Sequence, residues 1–346
     1  MLLNKIPQNS FTLEGINYLF FSGTGYLGAS SHPEFKNQLI KSVKKWGGSY
    51  GSSRHANIKL SIYNKGEAFL AKLLHKEAAL TVSSGTLAGK LAINTLEKYN
   101  DAFFYMPNTH PVIKKTNCKP VFVNNNLNPL LIHNKFKNIV ICADAIPILS
   151  THPFCFDFIK KIPNNKHITL LLDESHSLGV LGIKGGGIST TTAFPKNVEI
   201  VVISSLGKAY GICGGVIASK KHFINKIENN SLFVGAAGMS PAFLDCFISS
   251  QDFYMKQLLK LKDNLNYLAK HLDSKLKITF SKNYPIIYFE EANIAVFLQK
   301  EKILITHFTY LQSCDIKNKI SKVIINANHT YEELNILLRV LNKLQF

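Results

Sequence analysis

The chain has 346 residues, 46% hydrophobic and 18% charged, which allows a sizeable core and excludes a disordered or low-complexity protein. Lys and Arg outnumber Asp and Glu 40 to 22, a formal charge of +18. That suits anionic partners, but much of the excess is lysine spread among polar and apolar neighbours, as at Lys36, Lys41, Lys44 and Lys45, with no nucleic-acid motif behind it. Six dispersed cysteines without a CxxC, no run near the roughly 20 apolar residues of a membrane span, and a start without a signal peptide's apolar stretch give one expectation. It is a soluble cytoplasmic protein with free thiols, no metal site and no membrane partner.

The apolar pattern predicts helices over Pro33–Lys45 and Ser61–Lys72, a strand at Ala78–Val82 and a helix over Thr86–Leu96. Strands follow at Ala102–Tyr105, Pro120–Val123, Asn138–Cys142, Thr169–Leu172 and Glu199–Ile203. The runs from 138 and 169 lack polar alternation, as expected of strands covered on both faces. Between 217 and 275 the pattern is helical, including one segment near Ala242–Leu272. The C-terminal stretch carries strands near Pro285–Phe289, Ile303–Thr306 and Lys322–Ile325, then a helix, Thr330–Leu344, opened by a Thr-x-x-Glu capping box. This is the rhythm of an α/β fold. The expected organisation is an N-terminal segment at 1–35, a large mostly parallel α/β domain at 36–235 and a small α+β domain at 236–346.

Three segments carry chemistry, and each follows an expected strand, where open α/β sheets bind ligands. In Ser83-Ser84-Gly85-Thr86 a turn of small residues feeds a helix, so free N–H groups and a positive dipole end converge on a point that suits phosphate, although a Ser/Gly turn also serves as a plain helix cap. In Leu170-Leu-Leu-Asp173-Glu-Ser-His176 an acid closes an apolar strand, where it can face a ligand cation such as a protonated pyridine nitrogen; the alternative is an N-cap Asp with a loop His. In Ser204-Ser205-Leu-Gly207-Lys208 a lysine bracketed by small residues has room for a flat group, and desolvation makes its amine nucleophilic; a solvated loop lysine is the other reading.

Ser-Gly-Thr, then Asp-x-x-His, then Ser-x-Gly-Lys together resemble the fold-type-I pyridoxal-phosphate enzymes, and more narrowly the α-oxoamine synthase family, from about Tyr18 to Leu344. Tyr26-Leu-Gly28 with His32-Pro33, Tyr50-Gly-Ser-Ser-Arg54 with Glu67, and Asp173 through Gly182 match further family stretches. The resemblance implies the PLP-dependent transferase fold, with pyridoxal 5'-phosphate as cofactor and Lys208 as its Schiff-base lysine. It implies Asp173 as partner of the ring nitrogen, His176 as contact to the phenolic oxygen and His110 stacked on the ring. Ser84, Gly85, Thr86 and Ser205 form the phosphate cradle, and Tyr26 and Lys322 face the substrate.

The chain departs from the family at substrate positions. Thr24-Gly25 precede Tyr26 where Asn is usual, Asp144 and Ile148 stand for a Glu and a Ser, and Ala237 replaces a Thr that reaches the phosphate from a partner subunit. Lys322 replaces an Arg that grips the substrate carboxylate, and a point charge is no equivalent of a two-pronged fork. The implied reaction is decarboxylating condensation of an amino acid with an acyl-CoA thioester, in a homodimer with the active site at its interface. The altered anchors leave open a PLP-dependent aminotransferase, and a basic non-enzymatic binding protein is the reading from another class.

Overall fold

The computed structural model describes residues 2–291, 293–309 and 319–344. The chain opens with β1 (Ser10–Leu13), β2 (Ile16–Phe21), α1 (Pro33–Trp46), α2 (Ser61–Leu73), β3 (Ala78–Val82), α3 (Gly85–Leu96), β4 (Ala102–Tyr105) and β5 (Lys119–Pro120). A small hairpin, β6 (Phe122–Val123) and β7 (Asn126–Leu127), leads to β8 (Asn138–Asp144), β9 (His167–Asp173), β10 (Val198–Ser205) and β11 (Gly215–Ser219). Then come α4 (Lys221–Glu228), α5 (Ser231–Gly235), α6 (Pro241–Ser249) and α7 (Gln251–His271). The end carries β12 (Ile278–Ser281), β13 (Tyr284–Phe289), α8 (Ile294–Lys300), β14 (Ile303–Thr309), β15 (Lys319–Ile324) and α9 (Tyr331–Leu341).

Seven strands form the central sheet in the order β3-β11-β10-β9-β8-β4-β5. Strands β10, β9, β8, β4 and β5 are parallel, and β3 shares their direction because β11 is antiparallel to both of its neighbours. Along β8, Val140 and Cys142 pack into one core while Ile139 and Ile141 pack into another on the opposite face. Leu171 and its neighbours Leu170 and Leu172 divide in the same way on β9. Both faces are therefore dry, which is why these strands read as continuous apolar runs.

A second sheet has the order β1-β2-β14-β15-β13-β12. Its N-terminal hairpin, which the apolar pattern did not reveal, turns on Glu14 and Gly15, both with positive φ (53° and 77°), the geometry of a two-residue hairpin loop. Strand β2 then pairs in parallel with β14, so the first strands of the chain extend the sheet built by its last.

The expected strands at 78 and 102 coincide with β3 and β4, and the capping box is present in full, with Thr330 accepting from Glu333 N–H and Glu333 accepting from Thr330 N–H. The single helix expected near Ala242–Leu272 is two, α6 and α7, divided at Ser250, which leaves the helical region at φ −105° and ψ 18°. The expected Pro120–Val123 strand is two fragments, β5 and β6, and β8 runs two residues past its expected end, to Asp144. Arg54 ion-pairs with Glu67 at 2.9 Å and stacks on Tyr63, and Glu67 also accepts the Thr81 N–H at 2.8 Å, which fastens the loop after α1 to β3.

Candidate active site

Because β3, β8, β9 and β10 share one direction, their carboxyl ends open on one edge of the sheet. At β3, Ser84 is the N-cap of α3: its backbone is extended (φ −160°) and its hydroxyl accepts the Leu87 N–H at 3.1 Å. The amides of the first helical turn lack partners within the helix, as at any helix start. A Cβ on Gly85 would lie 2.8 Å from the Ser205 Cβ and 2.9 Å from its Cα and N. Glycine is what lets α3 begin against the end of β10, bringing Ser84, Gly85, Thr86 and Ser205 to one place.

At β9, Asp173 and Glu174 are adjacent and both buried but turn to different tasks. Asp173 Oδ1 accepts the Ser175 N–H at 2.8 Å. Glu174 accepts from Ile188 N at 3.0 Å and Ser189 N at 2.7 Å and binds the Ser177 hydroxyl, closing the loop after the strand. His176 lies in that loop with Nδ1 2.8 Å from the Tyr26 hydroxyl. Tyr26, expected as a substrate contact, is fully buried, and its hydroxyl meets the site through His176.

Lys208 follows β10 and is half-buried. Burial pulls its amine below the usual lysine range, opposed by the negative charges of Asp173 and Asp144. His110, after β4, is held below the ordinary histidine value by burial, with Asp173 raising and Lys208 lowering it. Its Nδ1 accepts the Val112 N–H at 3.2 Å, and its own N–H donates to Asp144 Oδ2 at 2.6 Å. Lys208, Asp173, His110 and Asp144 thus form one electrostatic group, drawn from the ends of four strands.

The second sheet supplies the opposite wall. Lys322 on β15 pairs in register with Tyr288 on β13 and Thr306 on β14. Its amine is lowered to about 8 by burial and by the nearby Lys208 charge. His176 is pushed well below its usual value by burial and by Lys208, Lys322 and His110, so its ring is neutral near pH 7. Lys322 and His176 share a small cavity with Ile146, Pro147, Ile148 and Tyr284. Ile148 gives that cavity an apolar wall where the resemblance led us to expect a serine. Ala237 is exposed between α5 and α6.

The donor set fits pyridoxal phosphate. A helix start joined to a serine-bearing strand end suits the phosphate, a buried carboxylate suits the ring nitrogen, and a desolvated amine suits the aldehyde. What sequence reasoning missed is that Asp144, read only as standing for a Glu, lies beside Asp173; the apolar run Ile139 to Ala143, which continued past the expected end of its strand, was a signal for it.

The family Aminotransferase class I and II matches residues 156–341, which include Asp173, His176, Ser205, Lys208 and Lys322. The chain is 25% identical to an 8-amino-7-oxononanoate synthase of Thermosipho melanesiensis over 97% of this chain and 91% of that one. It is 24% identical to a serine palmitoyltransferase of Bacteriovorax stolpii over 82% and 71%. Among solved structures, a serine palmitoyltransferase from S. paucimobilis with a bound PLP–myriocin aldimine superposes with a TM-score of 0.80 at 14% identity, covering 99% of this chain and 91% of that one. An 8-amino-7-oxononanoate synthase from Francisella tularensis gives 0.68 at 22% identity over 94% and 97%. With more than half of its length matched and the fold and donor set in agreement, the chain belongs to the aminotransferase class I and II family and is a PLP-dependent transferase of the α-oxoamine synthase type.

Proposed function

We propose that the protein condenses an amino acid with an acyl-CoA thioester and releases carbon dioxide, in the manner of an 8-amino-7-oxononanoate synthase. The observation that carries this reading is the meeting of Lys208, Asp173 and His110 in one electrostatic group at the carboxyl edge of the central sheet, faced by Lys322 from the second sheet. In this reading Lys208 holds the cofactor aldehyde and Asp173 its ring nitrogen. His176 contacts the phenolic oxygen, His110 covers the ring, and Ser84, Gly85, Thr86 and Ser205 take the phosphate. When bound, the cofactor supplies an electron sink for the charge left on the substrate α-carbon.

The chain's own groups do the rest. The depressed amine of Lys208 is suited to accept the α-proton at Nζ. Lys322 Nζ, the cation of the opposite wall, binds the substrate carboxylate. The apolar lining at Ile146, Pro147 and Ile148 keeps water from the carbon that attacks the thioester. The basic surface draws in the phosphates of the coenzyme.

The test is to incubate the PLP-loaded protein with alanine, glycine or serine, each with and without an acyl-CoA, and follow free thiol and carbon dioxide. Release of both only when amino acid and thioester are present together, and its loss in Lys208→Ala, is the expected result. Transfer of the amino group to a 2-oxo acid with no thioester present would replace this reading with an aminotransferase.

A further inference from the structure

Asp144 and Asp173 occupy the same register position on two neighbouring parallel strands, β8 and β9. Side chains at matched positions of adjacent parallel strands point to the same face, so the two carboxyl groups stand side by side. Both are buried, at 6% and 7% exposure. Each accepts a backbone N–H: Asp144 Oδ2 that of His110 at 2.6 Å, Asp173 Oδ1 that of Ser175 at 2.8 Å. The charged groups acting on Asp144 are Asp173 from β9 and Lys208 from the loop after β10, while Cys142 on its own strand and Tyr284 on β13 feel its charge. One lysine is thus shared by two buried acids, and two carboxylates in such proximity cannot both ionise cheaply.

We propose that Asp144 is a positioning residue that works as a neutral carboxylic acid beside Asp173, while its other oxygen fixes the main chain at His110. Burial and the Asp173 charge both act in that direction on Asp144, against the His110 N–H and Lys208. The consequence is a site with one negative charge for one ring cation, and a His110 anchored to the strand beside the cofactor's acid. A fully ionised pair would instead bring a second negative charge into the dry edge of the sheet. This inference rests on the cofactor reading of the site but not on acyl transfer.

The measurement is carbon-13 NMR of the full chain labelled at aspartate carboxyl carbons, with and without PLP. One signal should keep the shift of a protonated acid at pH 7, and it should vanish in Asp144→Asn. In parallel, Asp144→Ala should weaken PLP binding about tenfold, the consequence of leaving the buried His110 N–H without its acceptor, and Asp144→Asn, which keeps an acceptor oxygen and no charge, should recover most of that loss. A carboxylate shift for Asp144 at pH 7 would overturn the proposal, and so would an Asn variant that binds PLP as poorly as the Ala variant. Failure of acyl transfer in the wild-type protein would overturn the proposed reaction and leave the carboxyl signal where it is.

Discussion

The Tyr26 hydroxyl and His176 Nδ1 are 2.8 Å apart although 150 positions separate them in the chain. The pair joins the segment after β2 to the loop after β9, and Tyr26 is fully buried. Tyr26→Phe leaves a half-buried ring nitrogen without its partner, so it should lower stability by about 1 kcal/mol, read as a shift of the urea midpoint. PLP binding should weaken as well, because His176 loses the contact that orients its ring.

In the proposed reaction Lys322 predicts a pH limit. Its amine sits at about 8 instead of 10.5, because burial and Lys208 disfavour its charge. If it holds the substrate carboxylate, kcat/KM for the amino acid should fall as pH rises through about 8, by roughly tenfold per unit once the proton is lost. Arginine stays protonated across that range, so Lys322→Arg should remove this limb of the profile. Stability runs the other way. Between about 8 and 10.5 the unfolded chain binds this proton and the folded one does not, so the group favours the fold increasingly as pH rises across that window.

Gly85 is a steric requirement that a binding titration can read. In Gly85→Ala the new methyl would meet backbone atoms of Ser205 at 2.9 Å, which no rotamer change relieves. The start of α3 and the end of β10 must part. Overpacking of this kind costs about 1–3 kcal/mol, so PLP affinity should drop about tenfold or more, measured by titrating the cofactor's absorbance.

His329 is one source of acid sensitivity in the fold. It is buried against Phe21, accepts the Asn326 N–H at 3.0 Å through Nδ1 and lies 3.1 Å from the Phe20 carbonyl through Nε2. Burial lowers it from 6.5 to about 4. Between those values the unfolded chain takes up a proton that the folded chain refuses, so stability is lost as pH falls through this window, by about 3 kcal/mol in all. Denaturation midpoints from pH 7 to 4 should show that loss, and His329→Asn should remove its pH dependence at a constant stability cost.

Most of the central sheet was legible in the apolar pattern, and the cofactor in the family resemblance, but β11 was not: it overlaps the stretch from 217 that reads as helical. Strands dry on both faces produce unbroken apolar runs, so β3, β4, β8, β9 and β10 stood out, and the residues just beyond β3, β9 and β10 were where a cofactor's groups were expected. Ser84, His176 and Lys208 lie within a few positions of the ends of β3, β9 and β10, and Asp173 ends β9, and such local order is what a sequence displays. What depends on register and on contacts distant in sequence became visible with the fold. That Asp144 stands beside Asp173 follows from how β8 and β9 align, which no spacing along the chain reveals. The same holds for β2 pairing with β14, for Tyr26 reaching His176, and for Lys322 feeling the charge of Lys208. Apolar periodicity shows which residues are buried, whereas the protonation of a buried group depends on which charge the fold sets beside it.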